Sequence, residues 1–223
     1  MRVLLLLALL LGVGHGPLAA AETYDLLFRS TALKGLEATA RSEAGQSTLV
    51  YDRIITGVDE GQAGGSFSIG LKIKPDDNVA MTLYQGTRSR GLGNYPASVG
   101  NPVIMYFLES VLADISAQSG GSPFYMRNRI KEALLRDARI MRVSVRYRDR
   151  EIAAREVTIR PFMKDKARER MGRFSELALA VTVSDDIPGW YYSLVATIPA
   201  AAGGAEVGYS NAITLKAAGE GRP

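Results

Sequence analysis

The sequence predicts an α+β fold: antiparallel β-sheets, made of an N-terminal meander and a C-terminal sandwich-like β region, with a two-helix hairpin inserted between them. Three observations carry this. Residues 66–74 (SFSIGLKIK) alternate apolar and polar positions, then Pro75-Asp76-Asp77-Asn78 turns the chain into a second alternating run, VAMTLY. Residues 100–135 carry apolar side chains at helical spacing, broken at Gly120-Gly121. Alternation then returns in residues 139–148, 177–183 and 190–198. Helices that are amphipathic must cover a sheet face, and the flanking strands offer the apolar surface to cover.

The chain has 223 residues. Residues 1–21 read as a signal peptide: Arg2 is a short positive region and residues 3–11 are an apolar core. Ala19-Ala20-Ala21 supplies the small residues for cleavage after Ala21, with Ala20 as the second choice. The apolar run is too short for a permanent membrane span. A periplasmic location is expected. The mature chain then divides into residues 22–136, the meander plus helix pair, and residues 137–217, the C-terminal β region, either as two units or as one. Residues 218–223 read as a disordered tail.

The only histidine is His15, inside this leader, and there is no cysteine. The mature chain therefore has no Ser-His-Asp or Cys-His catalysis, no thiol redox chemistry, and none of the usual zinc, copper or haem ligands. No cofactor is expected. The formal net charge is +4, of which Arg2 supplies one, too mild to imply nucleic acid in an exported protein.

The elements follow in order. Residues 23–30 (TYDLLFRS) read as an entering strand, with Tyr24, Leu26 and Phe28 on one face. Residues 33–46 are small and polar. Residues 47–57 (STLVYDRIITG) are a strand rich in β-branched residues, and 59–65 a turn. After the 66–84 hairpin, residues 85–100 (QGTRSRGLGNYPASVG) read as a long loop with Arg88, Arg90 and Tyr95 as binding candidates.

Asn101 and Pro102 start the first helix, whose face is Val103, Ile104, Phe107, Leu108, Val111, Leu112 and Ile115. Ser122-Pro123 starts the second, with Phe124, Ile130, Ala133 and Leu134 expected to point inward and Arg127 and Arg129 mostly outward. In residues 139–148 (RIMRVSVRYR), Met141, Val143, Val145 and Tyr147 alternate with Arg142, Ser144, Arg146 and Arg148. Residues 156–160 bring the chain back, 164–173 form a short charged segment, and 177–183 pair with 190–198 across the SDDIPG turn.

Ile187-Pro188-Gly189, then Tyr192, Leu194 and Ala196, then a glycine-bearing turn and Tyr209-Ser210-Asn211, resemble the last two strands of fibronectin type III and other immunoglobulin-like sandwiches. The resemblance covers residues 186–217 and implies a β-sandwich there.

The acidic pairs Asp59-Glu60, Asp76-Asp77 and Asp185-Asp186 all lie in expected turns, where Asp is favoured for its backbone hydrogen bonds. Gly91-Leu92-Gly93 lacks the rest of a phosphate loop. The most charge-dense stretch is the arginine-rich one. Arg127, Arg129, Arg142, Arg146 and Arg148 are the expected contacts to a partner, a periplasmic protein or an anionic envelope component, because guanidinium forks match carboxylates and phosphates. The expected function is a non-enzymatic exported binding, accessory or assembly protein. The alternatives are a hydrolase or lyase using carboxylate and tyrosine, and a carrier of a small apolar ligand.

Overall fold

The computed structural model describes residues 17–36, 47–57, 65–200 and 208–216. Among these residues three α-helices, α1 (Pro17–Leu27), α2 (Val103–Ser119) and α3 (Pro123–Arg136), accompany nine strands. These are β1 (Leu49–Thr56), β2 (Gly65–Ile73), β3 (Asn78–Gln85), β4 (Arg88–Pro96), β5 (Arg139–Tyr147), β6 (Arg150–Ile159), β7 (Ala178–Val183), β8 (Tyr191–Ile198) and β9 (Tyr209–Leu215).

All nine strands form one antiparallel sheet in the order β4-β3-β2-β1-β9-β8-β7-β6-β5. The last strand is the seam. β9 pairs with β8, its hairpin partner, and with β1, so Tyr51 faces Leu215 and Arg53 faces Ile213. The expected meander and the expected C-terminal region therefore lie side by side in one sheet. The break near residue 137 falls between α3 and β5, where the helix pair carries the chain from one edge of the sheet to the other.

Helix α2 follows the apolar periodicity: Val103, Ile104, Phe107, Val111, Leu112 and Ile115 are buried. Asn101 does three jobs at its start. Its side chain accepts from the Val103 amide at 3.1 Å and donates to Tyr51 Oη at 2.9 Å and to the Gly189 carbonyl at 2.8 Å. The helix N-terminus is thus fastened to β1 and to the turn before β8. Gly189 must be glycine: its φ is +75°, and a Cβ there would lie 2.3 Å from Leu49. In α3 the buried residues are Met126, Ile130 and Ala133. Phe124, expected inside, is exposed, because it lies in the first turn, away from the face that carries Ile130.

Two expectations are overturned. Residues 23–27 belong to a helix, not a strand. Thr23, Leu26 and Leu27 are buried, the i, i+3, i+4 pattern of a helix face, while Tyr24 is exposed. The carbonyls at the end of α1 accept from Trp190 Nε1 (Leu26, 2.7 Å) and Tyr191 Oη (Leu27, 2.5 Å), groups a helix end needs. The expected cleavage point, Ala21, lies within this helix.

Residues 88–96 form an edge strand rather than a loop. Gln85 pairs with Arg88 around a two-residue turn in which Gly86 has φ +57°. An exposed edge needs no apolar alternation, so the strand left no periodic signal.

Residues 1–16 of the expected signal peptide, residues 37–46, the 59–64 turn with Asp59-Glu60, the glycine-bearing turn at 201–207 and the expected tail lie outside the described residues. Among the described residues no helix is long and apolar enough to cross a membrane.

Candidate docking surface

The expected arginines do not share one face. Arg127 and Arg129 are on α3 and are already engaged. Arg127 binds both carboxylate oxygens of Glu109 on α2, at 2.8–3.1 Å, and Glu109 raises its pKa. Arg129 is paired with Glu132 and lies 3.7 Å from Asp165. These contacts tie α3 to its neighbours. Arg88, Arg90 and Tyr95 are on β4, at the opposite edge of the sheet from β5. Tyr95 donates to the Leu92 carbonyl at 3.3 Å and lies against Gly93, so it shapes its own strand.

Arg142, Arg146 and Arg148 stay together on the β5–β6 hairpin, and all three are exposed. The turn Arg148-Asp149 has both residues at positive φ, 48° and 59°, which matches the twist of a two-residue hairpin. Arg148 lies 5.4 Å from the Tyr147 ring. Arg146 reaches Asp149 at 3.3 Å, but both side chains are more than three-quarters exposed, so the pair contributes little. Glu151, directly opposite Arg146, accepts from Ser144 at 2.7 Å. Arg142 has no carboxylate partner among the described residues. Directly opposite it on β6 stands another cation, Arg155, 5.8 Å from the Trp190 ring. Like charges facing across a strand pair repel, by a few tenths of a kcal/mol up to about 1.

The sequence reading missed a buried cluster between α2 and the sheet seam. Arg53 on β1, only 7% exposed, donates to Asn211 Oδ1 at 3.2 Å and to Tyr106 Oη at 2.9 Å. Asp114 on α2 accepts from Tyr209 Oη at 2.8 Å and from Asn211 Nδ2 at 3.0 Å, with Arg53 3.9 Å away. Burial, and then the Asp114 charge, push the Tyr209 phenol up, so it stays a proton donor. Among the described residues, the one buried side-chain polar atom without a hydrogen bond is Nε2 of Gln118, outside this cluster. The cluster spends its donors and acceptors on itself. The signal was available: Arg53 and Asn211 each occupy an inward position in an alternating strand, and Asp114 lies between Val111 and Ile115.

Asp165 is a second such centre. It accepts from Tyr125 Oη at 2.6 and 2.7 Å and from the Ala167 amide at 2.6 Å. The acidic pairs do what turns ask of them. Asp76 accepts from the Asn78 amide, and Asn78 lowers its pKa. Asp185 pairs with Arg29 at 2.7 Å.

Cavities divide by character. Two open clefts of about 580 and 510 Å³ flank Arg29, which stacks 4.1 Å from the Trp190 ring. The apolar seam between the helices and the sheet, lined by Leu27, Ile104, Phe107, Val157 and Val181 among others, has a volume of only about 10 Å³. That is about the room one water molecule needs.

No family model matches the chain, and no curated protein matches it. Among solved structures it is similar to the Mycobacterium tuberculosis lipoprotein LppX, at 10% sequence identity over 86% of this chain and 93% of that one, with a TM-score of 0.31. A likeness of that strength is one of outline and carries no inference about activity.

Proposed function

We propose that this is an exported, non-enzymatic binding or accessory protein that docks an acidic partner through Arg142, Arg146 and Arg148. The observation that carries the reading is the state of these side chains. The arginines of α3 and β1 are engaged by carboxylates, an amide and a phenol within the fold, whereas those of the hairpin project from a sheet edge with at most an exposed neighbour. Absence of histidine and cysteine from the chain beyond residue 21 supports recognition over turnover. Export rests on the leader-like residues 1–21, and N-terminal sequencing of the envelope-fractionated protein tests it: a start at Glu22 or Ala21 supports it, and a start at Met1 overturns it.

The carrier reading has less support. An apolar ligand would have to lift the helices from the sheet, because the seam beneath them is filled.

Binding to fluorescent poly-L-glutamate at low salt tests the docking reading. The variant R142E/R146E/R148E is expected to weaken it by about tenfold or more, chiefly through loss of charge complementarity. R88E/R90E, at the other edge, is expected to change it little. Equal loss from both variants would mean net charge alone drives binding.

A further inference from the structure

The two edges of the sheet are built differently. β4 carries several devices that keep an edge from pairing with another chain. It has a register shift opposite Met81 and Thr82, glycines at 91 and 93, and Pro96 at its end. β5 has none of these. It pairs with β6 through nine consecutive residue pairs, from Arg139 with Thr158 to Tyr147 with Arg150, without a bulge. Among the described residues no strand pairs with its outer side, and of its backbone groups the Arg146 carbonyl accepts from Tyr192 Oη at 3.3 Å, near the turn end of the strand. About half of its amides and carbonyls must therefore point away from β6, in the regular spacing that another strand needs. Among the described residues its guard is charge, and all of the charge on the strand is positive.

We propose that β5 accepts an extended acidic segment of a partner protein as a tenth strand. This rests on the docking reading above and gives it a geometry. Arg142 and Arg146 share a face with Ser144 between them, and Met141, Val143 and Val145 occupy the other. The matching segment has acidic residues four positions apart on one face, about 13 Å from each other at strand spacing. Apolar residues at the positions between them lie over Val143 and Val145. An acidic side chain arriving beside Arg142 also offsets its repulsion with Arg155. The same charges disfavour a second copy of this chain in one register: in an antiparallel pairing of two β5 strands centred on Ser144, Arg142 meets Arg146. Main-chain bonds supply affinity here, and the arginines supply choice of partner.

The test uses the full chain and a synthetic peptide with glutamates at positions i and i+4 and valines between. Two further peptides carry N-methyl groups on alternate amides, one on the odd set and one on the even set. Strand addition predicts that one methylated peptide binds about tenfold or more weakly and the other nearly as well as the parent, since only one set faces β5. It also predicts new hydrogen-exchange protection at alternate amides of residues 139–147. R142E/R146E is expected to lose parent-peptide binding. Equal binding by all three peptides, or binding without new protection on β5, overturns strand addition but leaves the docking reading intact. Capture of anionic phosphatidylglycerol vesicles with no binding of the parent peptide overturns strand addition, because the anionic partner would then be a membrane surface, and binding of both that R142E/R146E leaves unchanged overturns the docking reading as well.

Discussion

Arg53 and Arg142 stand on strands of the same sheet and have opposite relations to the fold. Arg53 lies under α2, where Tyr106, Asn211 and Asp114 take up its charge and its donors. Arg142 stands on the edge, faces Arg155, and has no carboxylate partner among the described residues. The fold has spent the first guanidinium on fixing how α2 crosses the β1–β9 seam. The second contributes nothing to folding, and repulsion from Arg155 makes it a slight cost. A charge left in that position is available to something outside the chain. The same logic separates Arg127 and Arg129 from Arg146 and Arg148, although sequence alone puts all four in one basic stretch.

The comparison is broken most forcefully at the buried end. Arg53→Ala leaves Asn211, Tyr106 and Asp114 with unmatched polar atoms, and is expected to lower stability by about 3 kcal/mol or more. In a chain of this size that is roughly 6–12 °C in Tm by calorimetry. A loss below about 0.5 kcal/mol would show that the cluster is looser than its distances imply.

A smaller effect tests the same cluster by pH. The buried phenols of Tyr51, Tyr191 and Tyr209 are all raised above the ordinary tyrosine value, by burial in the first place. The folded state therefore holds those protons more tightly than the unfolded one. Stability is unaffected by these groups below about pH 10 and falls as pH rises beyond it, by up to about 1.4 kcal/mol per pH unit for each phenol. Tyr209→Phe should reduce the slope of stability against pH between about 10 and 11.5 by one such contribution. An unchanged slope would mean that Tyr209 is not held neutral by its surroundings.

At the exposed end the expected change in stability is the smallest. Arg142→Ser should shift unfolding by less than about 0.5 kcal/mol in either direction. A loss of 2 kcal/mol or more, well beyond that range, would show an undetected structural partner and remove the basis for calling the side chain free.

Sequence reasoning reached the elements whose signal is local. The periodicity of residues 103–115 specifies α2 and its buried face. The Pro75–Asn78 and Ser184–Gly189 turns locate their hairpins. It missed what depends on distant partners or on exposure. Residues 23–27 alternate well enough to pass for a strand, and only the waiting donors of Trp190 and Tyr191, over 160 positions away, reveal a helix end. β4 has no buried face to leave a pattern. The β1–β9 pairing joins residues more than 150 positions apart, with nothing local to announce it. The Arg53 cluster was legible in principle, as polar residues interrupting three apolar stripes, but the stripes had first to be placed against each other.

The central claim is that the charges on the β5 edge choose the partner, and a charge swap tests it most directly. Wild-type chain and R142E/R146E are each titrated with the glutamate peptide and with the same peptide carrying lysine at both glutamate positions. The account predicts a crossed result, with wild type preferring glutamate and the variant preferring lysine. The same preference in both proteins would contradict it.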